Sequence, residues 1–460
     1  MTQLTDGVQA PQRYWAIATV ALGITMSVLD GAIANVALPT IARDLHSDAA
    51  FSIWVVNAYQ LAITISLLPL SSLGDIVGYR RIYLAGLALF TLASFACALS
   101  HTLTLLALSR VLQGFGAAGI MSVNTALIRF IYPQAQLGRG IGINTVVVAI
   151  SAAAGPTIAS GILSVASWPW LFAVNVPIGI VAIAIASRSL PRTPQAPHGF
   201  DYAGALLSAC TFGFLIVGID AGGHGEAATL VAGELALAIA CGYLLVRREL
   251  SRAAPLFPVD LLGIPIFALS VGTSICSFAA QMLAFVALPF HLQQEFGYSA
   301  VQTGLLITPW PLAVAVAAPI AGRLADRYPA GLLGGVGLLV FAGGLIALSL
   351  LPQHPDMLQV AWRMALCGLG FGFFQSPNNR TLIGSAPRHR SGGASGMLGT
   401  ARLLGQTTGA ALVALLFGRI AAHATVYALD IAAGFALAAA AVSSLRLFQP
   451  MAGAVPPALE

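Results

Sequence analysis

The polar positions of this chain are few and clustered. Between the clusters run apolar stretches, each close to the roughly 20 residues that a helix needs to cross a hydrocarbon core. Fourteen are read, at 15–38, 51–73, 82–100, 103–128, 141–163, 169–187 and 202–220, then at 229–246, 266–290, 301–321, 331–351, 357–376, 396–418 and 425–446. Pro, Gly, Arg and His occupy the breaks. The pattern predicts fourteen membrane-spanning helices.

Composition agrees. Of 460 residues, 58% are hydrophobic and 8% charged, against about 25% charged in soluble domains. The opening segment "MTQLTDGVQAPQ" has no basic stretch, and the apolar run after it is too long for a secretory signal. It is read as a true first helix.

Charge placement fixes an orientation. All 21 basic residues are Arg. With the N-terminus inside, 16 of them fall on the inner side, two (Arg43 and Arg419) on the outer, and three (Arg110, Arg363, Arg402) within spans. This is the positive-inside distribution. It predicts a bacterial inner-membrane protein with both termini cytoplasmic. The net charge of +5 is scattered, which argues against nucleic acid as a partner. The five Cys lie in apolar runs without metal spacing and are read as small core residues, so no metal site is expected. Six of the eight His fall on the outer side, as headgroup-level loop residues or as sensors of external pH.

The chain repeats itself. VALP occurs at 36–39 and 286–289, Asp75 is matched by Asp326, and Arg110 by Arg363, at offsets of 250, 251 and 253. The expected organisation is a six-helix bundle at 14–190, an inserted two-helix hairpin at 200–248 and a second bundle at 260–446. Residues 1–13 and 447–460 are cytoplasmic tails. A parallel repeat of this kind is a transporter architecture, with its substrate site at the midplane between the halves. Asp30, deep in span 1, falls opposite Gln281 under the repeat, so one half offers a carboxylate and the other an amide.

Five segments carry a family resemblance: "LDGAIANVALP", "SSLGDIVGYRR", "LALSRVLQGFGAA", "SAAAGPTIASG" and "WPWLFAVNVPIG". In this order they resemble the major facilitator superfamily, and within it the fourteen-span drug:proton antiporter family 2, the EmrB/QacA type, in a proteobacterial branch. The second segment resembles motif A, with Asp75, Gly78, Arg80 and Arg81. Ser71, Ile76 and Tyr79 depart from it. The third matches motif B at Arg110, Gln113, Gly114 and Gly116. The fourth resembles the antiporter motif C at Gly155 and Pro156, with Ala159 and Ser160 where two Gly are usual. The resemblance implies an all-α major facilitator fold of two six-helix bundles plus the hairpin. It implies Asp30 as the proton or cation site with Arg110 as its coupling residue, an inner gate latch at motif A repeated at Asp326 and Arg327, and a leak-resisting contact at motif C.

The residues support a physical version of this. Asp30 lies nine residues inside Pro39, about 13 Å, and Arg110 seven residues inside its span, about 10 Å. At like depth, Arg110 is expected beside Asp30. Burial disfavours a charged carboxylate and a guanidinium favours it, so the two effects compete. A static ion pair between spans 1 and 4 is the competing reading. Asn57, Tyr59, Gln60, Gln281 and Arg363 are cavity candidates alongside Asp30, or packing and interfacial residues. Arg402, two turns inside span 13, is read as a residue reaching the inner surface.

The expected function is proton-driven export, by alternating access, of hydrophobic and often cationic small molecules, the activity behind multidrug efflux and antimicrobial resistance. One carboxylate implies about one proton per cycle. No ATP-binding loop or catalytic constellation is seen, so neither enzyme activity nor a cofactor is expected. The expected partners are substrate, protons and the bilayer; the chain is expected to be a monomer. Some relatives use a periplasmic adaptor, and nothing in the sequence indicates one. Export of one endogenous metabolite is the alternative. A non-transporting sensor or assembly subunit is disfavoured, because no extended soluble domain is present to signal through.

Overall fold

The computed structural model describes residues 7–133, 136–193, 195, 199–223, 226–251, 259–325, 327–386, 391–420 and 423–448. Among them all regular structure is helical. The long helices are α1 (Gln12–Asp44), α2 (Trp54–Val77), α3 (Tyr79–Ala98), α4 (Leu103–Ile131), α5 (Leu137–Val165), α6 (Trp170–Ser189) and α7 (Tyr202–Gly223). They continue as α8 (Ala228–Leu250), α9 (Pro265–Phe290), α10 (Ala300–Leu324), α11 (Ala330–Ser349), α12 (Met357–Ser385), α13 (Ser391–Arg419) and α14 (Ala424–Leu445). Thirteen spans are long and apolar enough to cross a membrane, and a fourteenth is counted when the two parts of α5, bent by 41°, are taken together. The bend falls between Val146–Ala152 and Ala154–Val165, just ahead of Pro156. A proline there removes one helical hydrogen bond and crowds the carbonyl four residues back.

Several helices run further than the sequence pattern suggests, and in two of them this changes the depth of a charged residue. Helix α1 passes through Pro39 and ends at Asp44. Buried Leu38, Ile41 and Ala42 hold the turn that the proline weakens. Asp30 is therefore 14 residues, about 21 Å, from the true helix end. Helix α13 begins at Ser391, so Arg402 sits about three turns inside it rather than two.

The chain forms two compact units. The first comprises Met1–Leu245, Phe285–Thr308 and Ala410–Thr425; the second comprises Val246–Ala284, Pro309–Gly409 and Val426–Glu460. These limits cut through helices and differ from the sequence repeat. In the first unit, the segments from α9, α10 and α13 join the N-terminal helices at the end where α1 finishes. There Gln293 donates to the Val36 carbonyl at 3.2 Å, and the Thr157 and Thr308 hydroxyls share a 2.8 Å hydrogen bond. Gly304 lies so close to Pro156 and Ser160 that a side chain would not fit.

The repeat is visible in the packing. In the first unit, a Cβ on Gly114 would strike the Tyr59 carbonyl and Ala62, and one on Gly116 would strike the Phe90 backbone. In the second unit, Gly368 meets the Trp310 carbonyl and Ala313, and Gly370 the Phe341 backbone, in the same way. Helix α4 thus presses on α2 and α3 as α12 presses on α10 and α11.

Candidate functional site

The close approach of α2 and α4 at Gly114 sets the position of Arg110, one turn earlier on α4. Its Nε donates to the Val55 carbonyl of α2 at 2.8 Å. Its guanidinium carbon stands 4.1 Å from the centre of the Tyr59 ring and 5.5 Å from that of Phe172, a cation–π arrangement on two sides. Its Nη1 donates to Asp30 Oδ2 and, at 2.7 Å, to Gln113 Oε1.

Asp30 is held by donors from two helices, α4 and α6. Besides Arg110, its Oδ1 accepts from Gln113 Nε2 at 2.8 Å and from Asn175 Nδ2 of α6 at 2.9 Å. Gln113 Nε2 also donates to Ser94 Oγ of α3 at 2.9 Å. Asp30 is 2% exposed, and Arg110 and Gln113 are wholly buried. The pair is thus an internal charge pair of the first unit, with each member held by neutral donors or acceptors. Such an arrangement is costly to break from one side only, because the remaining charge is left buried and unmatched. Protonating Asp30 would remove the charge that holds Arg110.

The other expected site residues fall variously. Tyr59 does not open onto a cavity: it stacks on Arg110, and its hydroxyl donates to the Ser27 carbonyl at 2.8 Å. Gln60 is buried. Asn57 is also wholly buried, and neither amide atom has a hydrogen-bond partner among the described residues. Gln281 is half-buried in α9. Arg363 does not reproduce the Arg110 cage: it donates to the Gln359 carbonyl of its own helix at 2.7 Å and stacks on neighbouring Trp362. Asn175 is missing from the sequence-based site. The available signal was a lone amide at the start of an apolar span.

At motif A, Gly78 has φ of 102°, which glycine adopts without strain. Asp75 accepts from the Tyr79 hydroxyl, so its partner is this phenol, at a position where the family usually has a base. Arg80 donates to the Ser187 carbonyl and Arg81 to that of Val77. Arg327 is exposed, and Asp326 lies outside the described residues. At motif C, Gly155 packs directly on Ala32 of α1.

The pattern of the Major Facilitator Superfamily matches residues 20–410 and 269–457. This chain belongs to the major facilitator superfamily. Within this superfamily it is 59% identical over 447 residues to the "Uncharacterized transporter YebQ" of Escherichia coli (strain K12), covering 97% of this chain and 98% of that protein. It is 32% identical over 416 residues to the riboflavin transporter RibZ of Clostridioides difficile (strain 630), covering 89% of each. It is also 32% identical over 415 residues to the tetracenomycin C resistance and export protein of Streptomyces glaucescens, covering 88% of this chain and 76% of that protein. In fold it resembles a crystal structure of a POT family transporter in complex with a thioalcohol-conjugated peptide (TM-score 0.71, 16% identity, 94% of this chain and 95% of that one). A bacterial homolog of the human lysosomal transporter Spinster is similar too (TM-score 0.68, 17% identity, 95% and 97%). This major facilitator chain is a multi-pass membrane transporter, and its family points to transport rather than catalysis.

Proposed function

We propose that this transporter is a proton-coupled exporter of hydrophobic small molecules, of the fourteen-span drug:proton antiporter type. It works in the bacterial inner membrane with both termini in the cytoplasm. The observation that carries this reading is the enclosed Asp30, tied to Arg110, Gln113 and Asn175 inside a membrane-spanning bundle. Ionisable groups at such depth are expensive and mark ion pathways. Several relatives are named for drug resistance or efflux, including the multidrug efflux pump LfrA of Mycolicibacterium smegmatis, 29% identical over 413 residues.

In the proposed cycle, Asp30 takes a proton from the outer side and releases its hold on Arg110. The bundle turns inward, the proton leaves to the cytoplasm, and cargo enters. The end of α1, closed by Gln293 and by the Thr157–Thr308 contact, is then the outer end. Motif A, with Asp75, is the inner gate of the first unit, and the exposed Arg327 belongs to its repeat in the second. A second reading, a single metabolite as cargo, draws on the riboflavin transporter among the relatives.

The test is pH-gradient-driven transport by purified protein in proteoliposomes. The wild type accumulates cargo against its gradient, and Asp30→Asn does not. Uphill transport by Asp30→Asn under a pH gradient would overturn the Asp30 mechanism.

A further inference from the structure

Among the described residues, two charged side chains lie more than ten residues from both ends of their helices: Asp30 in α1 and Arg402 in α13. The first is matched by Arg110. The second is not. Arg402 is half-buried, its Nε is buried without a hydrogen-bond partner, and no acid pairs with it among the described residues. It stands eleven residues, about 16 Å, inside α13.

Its direction follows from helix geometry. Residues three and seven positions apart share a helix face. Arg402 is three residues before Gly405 and seven before Gly409. Those glycines press on the α9 backbone, Gly405 against the Ile275 carbonyl and Gly409 against that of Ala279. Arg402 therefore lies on the stripe of α13 that faces α9 inside the second unit, not on a lipid-facing stripe. Its chain neighbours Ala401 and Leu403 are buried as well. A guanidinium held there, with no matching charge, is poised for an anion.

We propose that Arg402 recognises the carboxylate of an amphipathic organic anion, the class of cargo that this transporter carries. This rests on the export reading and sharpens it. Asp30, the acid set deepest within its helix among the described residues, is already engaged by three donors and is not open to a cationic cargo. A carboxylate finds an arginine whose planar donors suit it in bidentate fashion.

The experiment compares two xanthene dyes of opposite charge, carboxyfluorescein and rhodamine 6G, by fluorescence anisotropy on the purified full-length protein. The wild type is expected to bind carboxyfluorescein at least tenfold more tightly than Arg402→Gln, with Arg402→Lys keeping most of the affinity. Rhodamine 6G binding is expected to be unchanged by either substitution. Thermal unfolding of the three proteins should coincide, since Arg402 holds no partner among the described residues. Equal carboxyfluorescein affinity in wild type and Arg402→Gln, or no carboxyfluorescein binding by the wild type, would overturn the proposal. The same dyes in proteoliposomes separate the two readings. Arg402-dependent binding without gradient-driven flux rejects export and leaves the site standing. Gradient-driven flux of rhodamine 6G but not of carboxyfluorescein leaves export standing and rejects the site.

Discussion

Removing both members of the Asp30–Arg110 pair should cost less than the sum of removing each alone. Asp30→Ala leaves the Arg110 guanidinium with the Val55 carbonyl, Gln113 Oε1 and two aromatic rings, but no counter-charge. An unmatched buried charge of this kind costs about 3–5 kcal/mol. Arg110→Met leaves Asp30 with two amide donors. The carboxylate can then take up a proton, so the loss is closer to one charged hydrogen bond, about 1.5–3 kcal/mol. The double variant leaves no buried charge, only neutral groups such as the Gln113 and Asn175 amides to re-pair, and should fall well below the sum, giving a coupling of about 2–3 kcal/mol. Equilibrium unfolding in mixed micelles reads all four corners of this cycle. Losses that add to within about 0.5 kcal/mol would show that the two groups do not support each other.

Other substitutions test the surroundings of the pair. Gly114→Leu should destabilise by about 1–3 kcal/mol through overpacking and also abolish proton coupling, because it wedges α2 from α4. Gly368→Leu should destabilise similarly while leaving the Asp30 cage intact, so unfolding and proton-coupled flux measured together distinguish the two. Asn175→Leu removes one donor from Asp30 and should lower stability by about 1.5–3 kcal/mol; an unchanged unfolding curve would contradict the cage. Paired Thr157→Cys and Thr308→Cys should cross-link on mild oxidation and stop transport until reduced. No cross-link would place those hydroxyls apart.

Much of this was legible before the structure. Thirteen of the apolar runs became helices long enough to cross a membrane, and a fourteenth did if the two parts of α5 count as one span, because span length and lack of charge leave few other solutions in a bilayer. Asp30 and Arg110 do meet, as expected, but the depth that suggested it was measured from Pro39, and α1 runs on to Asp44. What escaped has physical causes. Pro39 looked like a stop, but buried neighbours carry α1 on to Asp44. The start of α13 was set too late because "SGGASG" reads as a break, and this put Arg402 too near the surface. Tyr59 looked like a cavity residue because an aromatic at helical spacing says nothing about which ring face is used. Its guanidinium contact depends on the α2–α4 distance, and Gly114 sets that distance only in three dimensions. The repeat paired Arg110 with Arg363 but set an amide, Gln281, opposite Asp30, and in the structure the glycine contacts recur while the charge cage does not.

That asymmetry gives the transport reading an electrical consequence. If Asp30 brings one proton in and Arg402 sends one monovalent carboxylate out, each cycle moves two positive charges inward. At about 2.3 kcal/mol per charge per 100 mV, this is about 4.6 kcal/mol of driving force with no pH gradient at all. At about 1.4 kcal/mol per tenfold step, it sustains a cargo gradient of roughly three decades. A neutral cargo would move one charge and gain about half of that in logarithmic terms, and a monovalent cation would exchange with no net charge and gain nothing. Proteoliposomes at equal pH on both sides, with the potential set by potassium and valinomycin, measure the slope of log accumulation against voltage. For a monovalent carboxylate the slope should be twice that of a neutral substrate, and each further negative charge on the cargo, as on carboxyfluorescein, should add one more such unit. A slope near zero for every substrate moved would refute the charge assignment, since the proton on Asp30 would then be balanced by a positive charge on the cargo and Arg402 would have no anion to hold.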